Sequence, residues 1–160
     1  MPANQKILVL TRVFDAPPEV VFKAWTDPKQ VAKWWGPKGF TNPRCEWDAR
    51  PGKKIRIDMT GPNGIVYPMG GEFIEVDPPL QLIFYARAYE AGTEVEGLVV
   101  QNTVTFVEVD GKTRLTLEAI VKRATLAMAG AVAGMDQGWN QSLDRLAAVV
   151  NLAPKQMETR

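Results

Sequence analysis

The chain contains no histidine at all among its 160 residues, and only one cysteine. The first absence removes the imidazole bases, the Ser-His and Cys-His nucleophiles and every His-ligated zinc or iron site. The second removes any internal disulfide, which fits a reducing cytoplasmic setting. Charge of one sign is also missing: 19 basic residues face 18 acidic ones, a net of +1, so no field steers the protein toward nucleic acid or an anionic membrane. Long hydrophobic runs are absent too. Residues 124–135, the longest apolar or small stretch, fall short of the roughly 20 residues a membrane helix needs. Residues 7–10 are too short for a signal-peptide core. Neither Gly61-Pro62-Asn63-Gly64 nor Gly70-Gly71 has the spacing of a phosphate loop, so no nucleotide site is expected.

What remains is an ordinary globular composition, 46% hydrophobic and 23% charged, in a length that suits one domain with a real core. Residues 128–150 read as the organising element. Met128, Val132, Met135, Trp139, Leu143, Leu146 and Val150 recur every three or four positions, which puts them on one face of a single long helix. Gly130, Gly134 and Gly138 each weaken that helix by roughly 1 kcal/mol relative to alanine, so it needs a surface to hold it. The glycines also mark its first half as a place where a lid could open.

The rest of the chain supplies that surface. Residues 6–14 read as a strand stopped by Pro17-Pro18, and two short helices follow, one with Pro18 in its first turn, the other capped by Asp27. Residues 40–48, 53–60, 67–76, 80–89, 102–109 and 112–121 read as strands. Arg50-Pro51-Gly52, Asn63-Gly64 and Asp110-Gly111 form turns between them. Val104 and Phe106 are expected to face Leu115 and Leu117 across the last hairpin. The loop at 91–97 is polar and reads as mobile, and residues 153–160 form a polar tail. Hairpin connections imply an antiparallel sheet of six or seven strands with the long helix on one face, an α+β domain spanning 1–160.

The element order carries several motifs: Trp34-Trp35-Gly36-Pro37, Asp48-Ala49-Arg50-Pro51-Gly52, the run from Gly71 to Pro79, and the run from Met135 to Leu146. Together they resemble the activator-of-heat-shock-protein-ATPase-like proteins of the START-related (SRPBCC) superfamily, whose fold is shared with the birch pollen allergen. The resemblance implies a helix-grip fold: a curved antiparallel sheet wrapped around the C-terminal helix, with an apolar cavity between them. It implies no cofactor. A chaperone partner stays open but without support, because the Asn- and Trp-rich, His-containing motif of the eukaryotic chaperone activator does not occur in this sequence.

Against that background twelve side chains are candidates for lining a cavity: Trp35, Phe40, Trp47, Ile57, Met59, Met69, Phe73, Phe84, Phe106, Met135, Trp139 and Leu143. Aromatic and Met side chains fill ordinary cores in the same way, so the set is informative only together with the fold. Among the carboxylates Glu46, Asp48, Asp58, Glu72, Glu75, Glu118 and Asp136, a group facing an apolar cavity could act as acid or base. Glu46 and Glu75, within strands of mixed polarity, are the two to examine; Asp48 reads as bracing its turn through Arg50. Cys45, without a His partner, reads as a small half-buried hydrophobe. No carboxylate spacing points to a metal. Three functions follow as expectations: binding of a small apolar or aromatic molecule, a cyclase- or hydrolase-type reaction in the same cavity, or a protein-interaction module, a chaperone regulator or a homodimer, using exposed Trp34 and Trp35 or the strand edges.

Overall fold

The computed structural model describes residues 6–90, 93 and 95–151. The order is β1 (Ile7–Phe14), α1 (Pro18–Thr26), α2 (Pro28–Trp34), β2 (Thr41–Trp47), β3 (Lys54–Thr60), β4 (Val66–Asp77), β5 (Gln81–Tyr89), β6 (Glu96–Val109) and β7 (Lys112–Ala124). A 3-10 turn (Leu126–Met128), α3 (Ala129–Ala133) and α4 (Met135–Val150) complete it. The strands form one antiparallel sheet in the order β1-β7-β6-β5-β4-β3-β2. Consecutive strands β1 and β2 lie at opposite edges. The segment joining them must therefore cross the sheet, and α1 and α2 are that crossing.

Local chemistry sets the element boundaries. Pro18 occupies the first turn of α1, where its missing N–H costs nothing. The Asp27 side chain accepts a 3.0 Å hydrogen bond from the Lys29 backbone N–H and starts α2. At the last hairpin Asp110 and Gly111 both take positive φ (53° and 80°), the two-residue turn whose twist matches the strands. That turn sets Val104 opposite Leu117 and Phe106 opposite Leu115, as the alternation requires. Register shifts at Phe73/Glu75, Ala88/Tyr89 and Val99/Val100 bend the long strands, so the sheet curves around what it covers.

The structure corrects the sequence at three places. The long helix is not continuous. It breaks at Gly134 into α3 and α4, and residues 126–128 form a separate turn in which Leu126 is 96% exposed. Two glycines within α3 and at its end leave little to favour helix over a bend. Strand β6 begins at Glu96, six residues before the expected start. Trp34 and Trp35, expected as exposed contact residues, are both buried. The Trp34 indole N–H donates to the Ala24 carbonyl at 2.9 Å, which locks α2 onto α1. Ala91, Gly92 and Glu94 of the polar loop, and the tail from 152 onward, lie outside the described residues. No helix among the described residues is long and apolar enough to cross a membrane.

Candidate functional site

The concave face of the sheet and the helices enclose two apolar clusters. The larger contains Trp25, Trp34, Trp35, Trp47, Phe73, Phe84 and Phe106 together with Leu143 and Leu146 of α4. Its rings touch in tilted and edge-to-face pairs: Trp35 lies 5.2 Å from Trp47, tilted, and 5.4 Å from Trp139, edge to face, and Trp47 lies 5.1 Å from Phe73, also edge to face. Two buried indoles donate to backbone, Trp34 as above and Trp47 to the Trp25 carbonyl at 2.7 Å. This half of the interior is closed by aromatic side chains.

Its helix is firmly held. Ser142 Oγ donates to the Trp34 carbonyl at 2.9 Å. Arg145 donates to the carbonyls of Lys33, Trp35, Gly36 and Pro37 at 2.8–3.0 Å. These carbonyls lie at the end of α2 and in the loop after it, where the helix no longer supplies donors; Trp35 and Pro37 also accept from the Asn42 side chain at 2.8 Å and the Phe40 N–H at 3.1 Å. Burial lowers the Arg145 pKa, and its hydrogen bonds run to carbonyls rather than to a carboxylate. On β1, Arg12 reaches α4 through the Asn140 carbonyl at 3.0 Å and Asp144 at 2.9 Å.

The second cluster lies at the other end of the sheet. Leu8, Leu98, Val100, Ala119 and Val121 make its floor, while Leu10, Ala88, Met128, Val132, Met135 and Trp139 pack against it half-buried. The cover here is α3 and the start of α4. Lys6 Nζ donating to the Val132 carbonyl at 3.1 Å is the one side-chain hydrogen bond described for α3. Trp139 belongs to both clusters and stacks 6.0 Å from Trp25, at an interplanar angle of 19°. The interior is thus a rigid aromatic half and a loosely covered aliphatic half, meeting at Trp139.

Ten of the twelve cavity candidates fall in the aromatic half: Trp35, Trp47, Ile57, Met69, Phe73, Phe84, Phe106 and Leu143 buried, Met59 and Trp139 partly so. Met135 faces the aliphatic cluster. Phe40 is half-buried at the rim, 5.8 Å from Tyr67, apart from both. Sequence reasoning passed over Leu98, Val100, Ala119 and Val121, and also Asn102. This last residue occupies the inward register of β6 between Val100 and Val104. Strand alternation alone would have placed it there.

Both acid–base candidates face water. Glu46 is exposed and paired with Arg44 at 2.8 Å; Glu75 is exposed and accepts from Gln81 at 2.8 Å. Neither reaches the interior, because the residues beside them, Trp47 and Cys45 for Glu46, take the inward positions of the pleat. The other carboxylates follow suit. Asp48 is held by Arg50, which lowers its pKa through a hydrogen bond, and Asp58 pairs with Arg56 at 2.9 Å. Glu72 pairs with Arg87 at 2.7 Å, Glu118 is exposed, and Asp136 binds Asn140 at 2.8 Å. Cys45 is half-buried and desolvation pushes its thiol up to about 11, which makes it a poor nucleophile. Among the described residues no group of three or more acidic or cysteine side chains is placed to hold a metal.

Seven antiparallel strands curved around a C-terminal helix, with two short helices after the first strand, define a helix-grip domain of the START-like class. The chain belongs to the Activator of Hsp90 ATPase homolog 1-like protein family, whose model matches residues 15–151. Solved relatives agree in fold over nearly the whole length. A protein from Chromobacterium violaceum is 29% identical, with a TM-score of 0.78 over 94% of this chain and 99% of its own. The family member from Silicibacter pomeroyi is 26% identical, with a TM-score of 0.77 over 92% and 99%. A protein from Mycobacterium smegmatis is 28% identical, with a TM-score of 0.76 over 90% of each chain. No curated protein matches this chain in sequence.

Proposed function

We propose that this chain binds a small, uncharged, apolar or aromatic molecule between the sheet and the α3–α4 segment. The observation that carries this reading is the asymmetry of the interior. The aromatic half is sealed and pinned by Arg145 and Ser142. The aliphatic half is covered by a short helix interrupted at Gly134, whose inward residues Met128, Val132 and Met135 are only half-buried. A ligand entering there displaces flexible Met side chains rather than packed rings. Ala88 and Ala119 leave the floor small where a guest would lie. Among the described residues the charges beside it are engaged, Lys6 by the Val132 carbonyl and Arg12 by Asn140 and Asp144, so shape and burial would do most of the selecting.

The enzymatic alternative weakens on the same geometry, since Glu46 and Glu75 would have to work at the outer surface. Self-association is favoured by one separate observation. Edge strand β1 turns Ile7, Val9 and Val13 outward, each more than half exposed, and such an edge invites a second copy to pair with it.

Native mass spectrometry of the protein purified from its own host tests the binding reading. A reproducible small adduct that denaturing extraction releases is the expected result. A clean monomer without adduct counts against carriage, and a clean dimer favours the β1 edge.

A further inference from the structure

We infer that Asn102 is the polar anchor of this site, so that the ligand is amphipathic: an apolar body ending in a neutral head group that both donates and accepts a hydrogen bond, such as a primary amide or an undissociated carboxylic acid. The inference rests on the binding reading above and narrows its ligand class.

Asn102 is 1% exposed, and neither its side-chain oxygen nor its side-chain nitrogen has a hydrogen-bond partner among the described residues. It lies on the inward face of β6, opposite Phe84 on β5 and Ala119 on β7. Along its own strand Val104 belongs to the aromatic cluster and Val100 to the aliphatic one. The amide therefore sits where the two halves meet, beside the loosely covered aliphatic cluster. The Trp25 indole N–H is a second buried donor without a partner. Its ring is 6.4 Å from that of Phe84 and stacks on Trp139, the residue common to both clusters.

A buried amide with neither hydrogen bond made destabilises the fold, and leucine of similar volume would not. Buried polar groups in native proteins are almost always satisfied, so an unpaired one calls for a partner that the fold itself does not supply. The head group is neutral because both cations on the inward register of β1 are already engaged, Arg12 by Asn140 and Asp144 and Lys6 by the Val132 carbonyl. An ionised carboxylate would arrive without a counter-charge.

The test compares two probes of nearly equal shape, 2-naphthamide and 2-methylnaphthalene. Both are titrated into the full chain by calorimetry, with amide NMR spectra recorded in parallel. The wild type is expected to bind the amide roughly tenfold more tightly, as one or two buried hydrogen bonds allow, with the Asn102 side-chain NH2 signals shifting on saturation. N102L and N102A are expected to abolish the preference while keeping affinity for 2-methylnaphthalene. Equal binding of the two probes by the wild type, or a preference that survives both variants, overturns the anchor and leaves the binding reading standing. If neither probe binds up to its solubility limit, the binding reading fails and the anchor with it.

Discussion

Arg145 is a single side chain that closes the end of one helix onto another. Its guanidinium donates to four carbonyls of residues 33–37 where α2 stops, two of which, Lys33 and Gly36, have no other donor among the described residues. Replacing it with methionine keeps much of the volume and removes all four bonds, and should lower the unfolding free energy by about 2 kcal/mol, as urea denaturation would measure. Asn102 works in the opposite sense. Without ligand its amide is a burden, so N102L should raise the stability of the apo protein by about 1–2 kcal/mol, read as an increase in Tm. Neither role is written in the residue type. An arginine in a helix usually reads as surface, and the four carbonyls it meets lie more than a hundred positions away. Asn102 was legible in principle, because the β6 alternation that placed Val104 and Phe106 inward places it inward too. An asparagine at the start of an apolar strand reads equally well as a strand-end residue, so its burial shows only once β6 is seen to begin at Glu96. The carboxylates misled for the complementary reason: a strand of mixed polarity does not reveal which face is wet until the register with its neighbours is known.

At the scale of elements, the turns and caps were readable and the last helix was not. Asp27, Pro18 and Asp110-Gly111 act through bonds to residues two to four positions away, so short-range sequence carries them. The break at Gly134 depends on whether the sheet beneath grips residues 126–134, and the spacing of Met128, Val132 and Met135 is the same with or without the break. Gly134 has φ −91° and ψ 0°, and a β-carbon there would meet the Gly130 carbonyl at 3.4 Å and the Ala131 carbonyl at 3.9 Å, both ordinary contacts. G134A should therefore be tolerated. By favouring helix by up to about 1 kcal/mol it should slow amide exchange across residues 129–138; unchanged exchange would mean that the break is set by packing rather than by glycine. Gly71 is the contrary case. A β-carbon there would fall 1.9 Å from the Tyr85 carbonyl oxygen, so G71A should force β4 and β5 apart at a cost above about 3 kcal/mol.

For the molecule as a whole, the outer face of the sheet is a charged skin over the apolar interior, and its least exposed pair is Glu72 with Arg87, joined by Glu96 at 3.2 Å. The hydrogen bond from Arg87 holds the Glu72 carboxyl below its ordinary range, while partial burial opposes the shift. A carboxylate depressed in the folded state contributes stability that is fully present above the unfolded value of about 4.3 and is lost as pH falls through the folded value. Being a quarter exposed, the pair should supply no more than about 1 kcal/mol. E72Q should thus be slightly less stable at neutral pH and lose less on acidification below about pH 4; an acid limb identical to that of the wild type would contradict this.

The fold class and the family were legible because several short motifs occur in one order across most of the chain. The division of the interior into a sealed and a covered half was not, because aromatic side chains that fill a core and those that line a cavity look alike in sequence. An amide NMR titration with 2-methylnaphthalene distinguishes the two halves. Saturable shifts are expected at Val100, Ala119, Val121, Val132, Met135 and Trp139, with Trp47 and Phe73 unmoved. Shifts confined to Ile7, Val9 and Val13 on the outer face of β1, or no saturable shifts anywhere, would contradict that division.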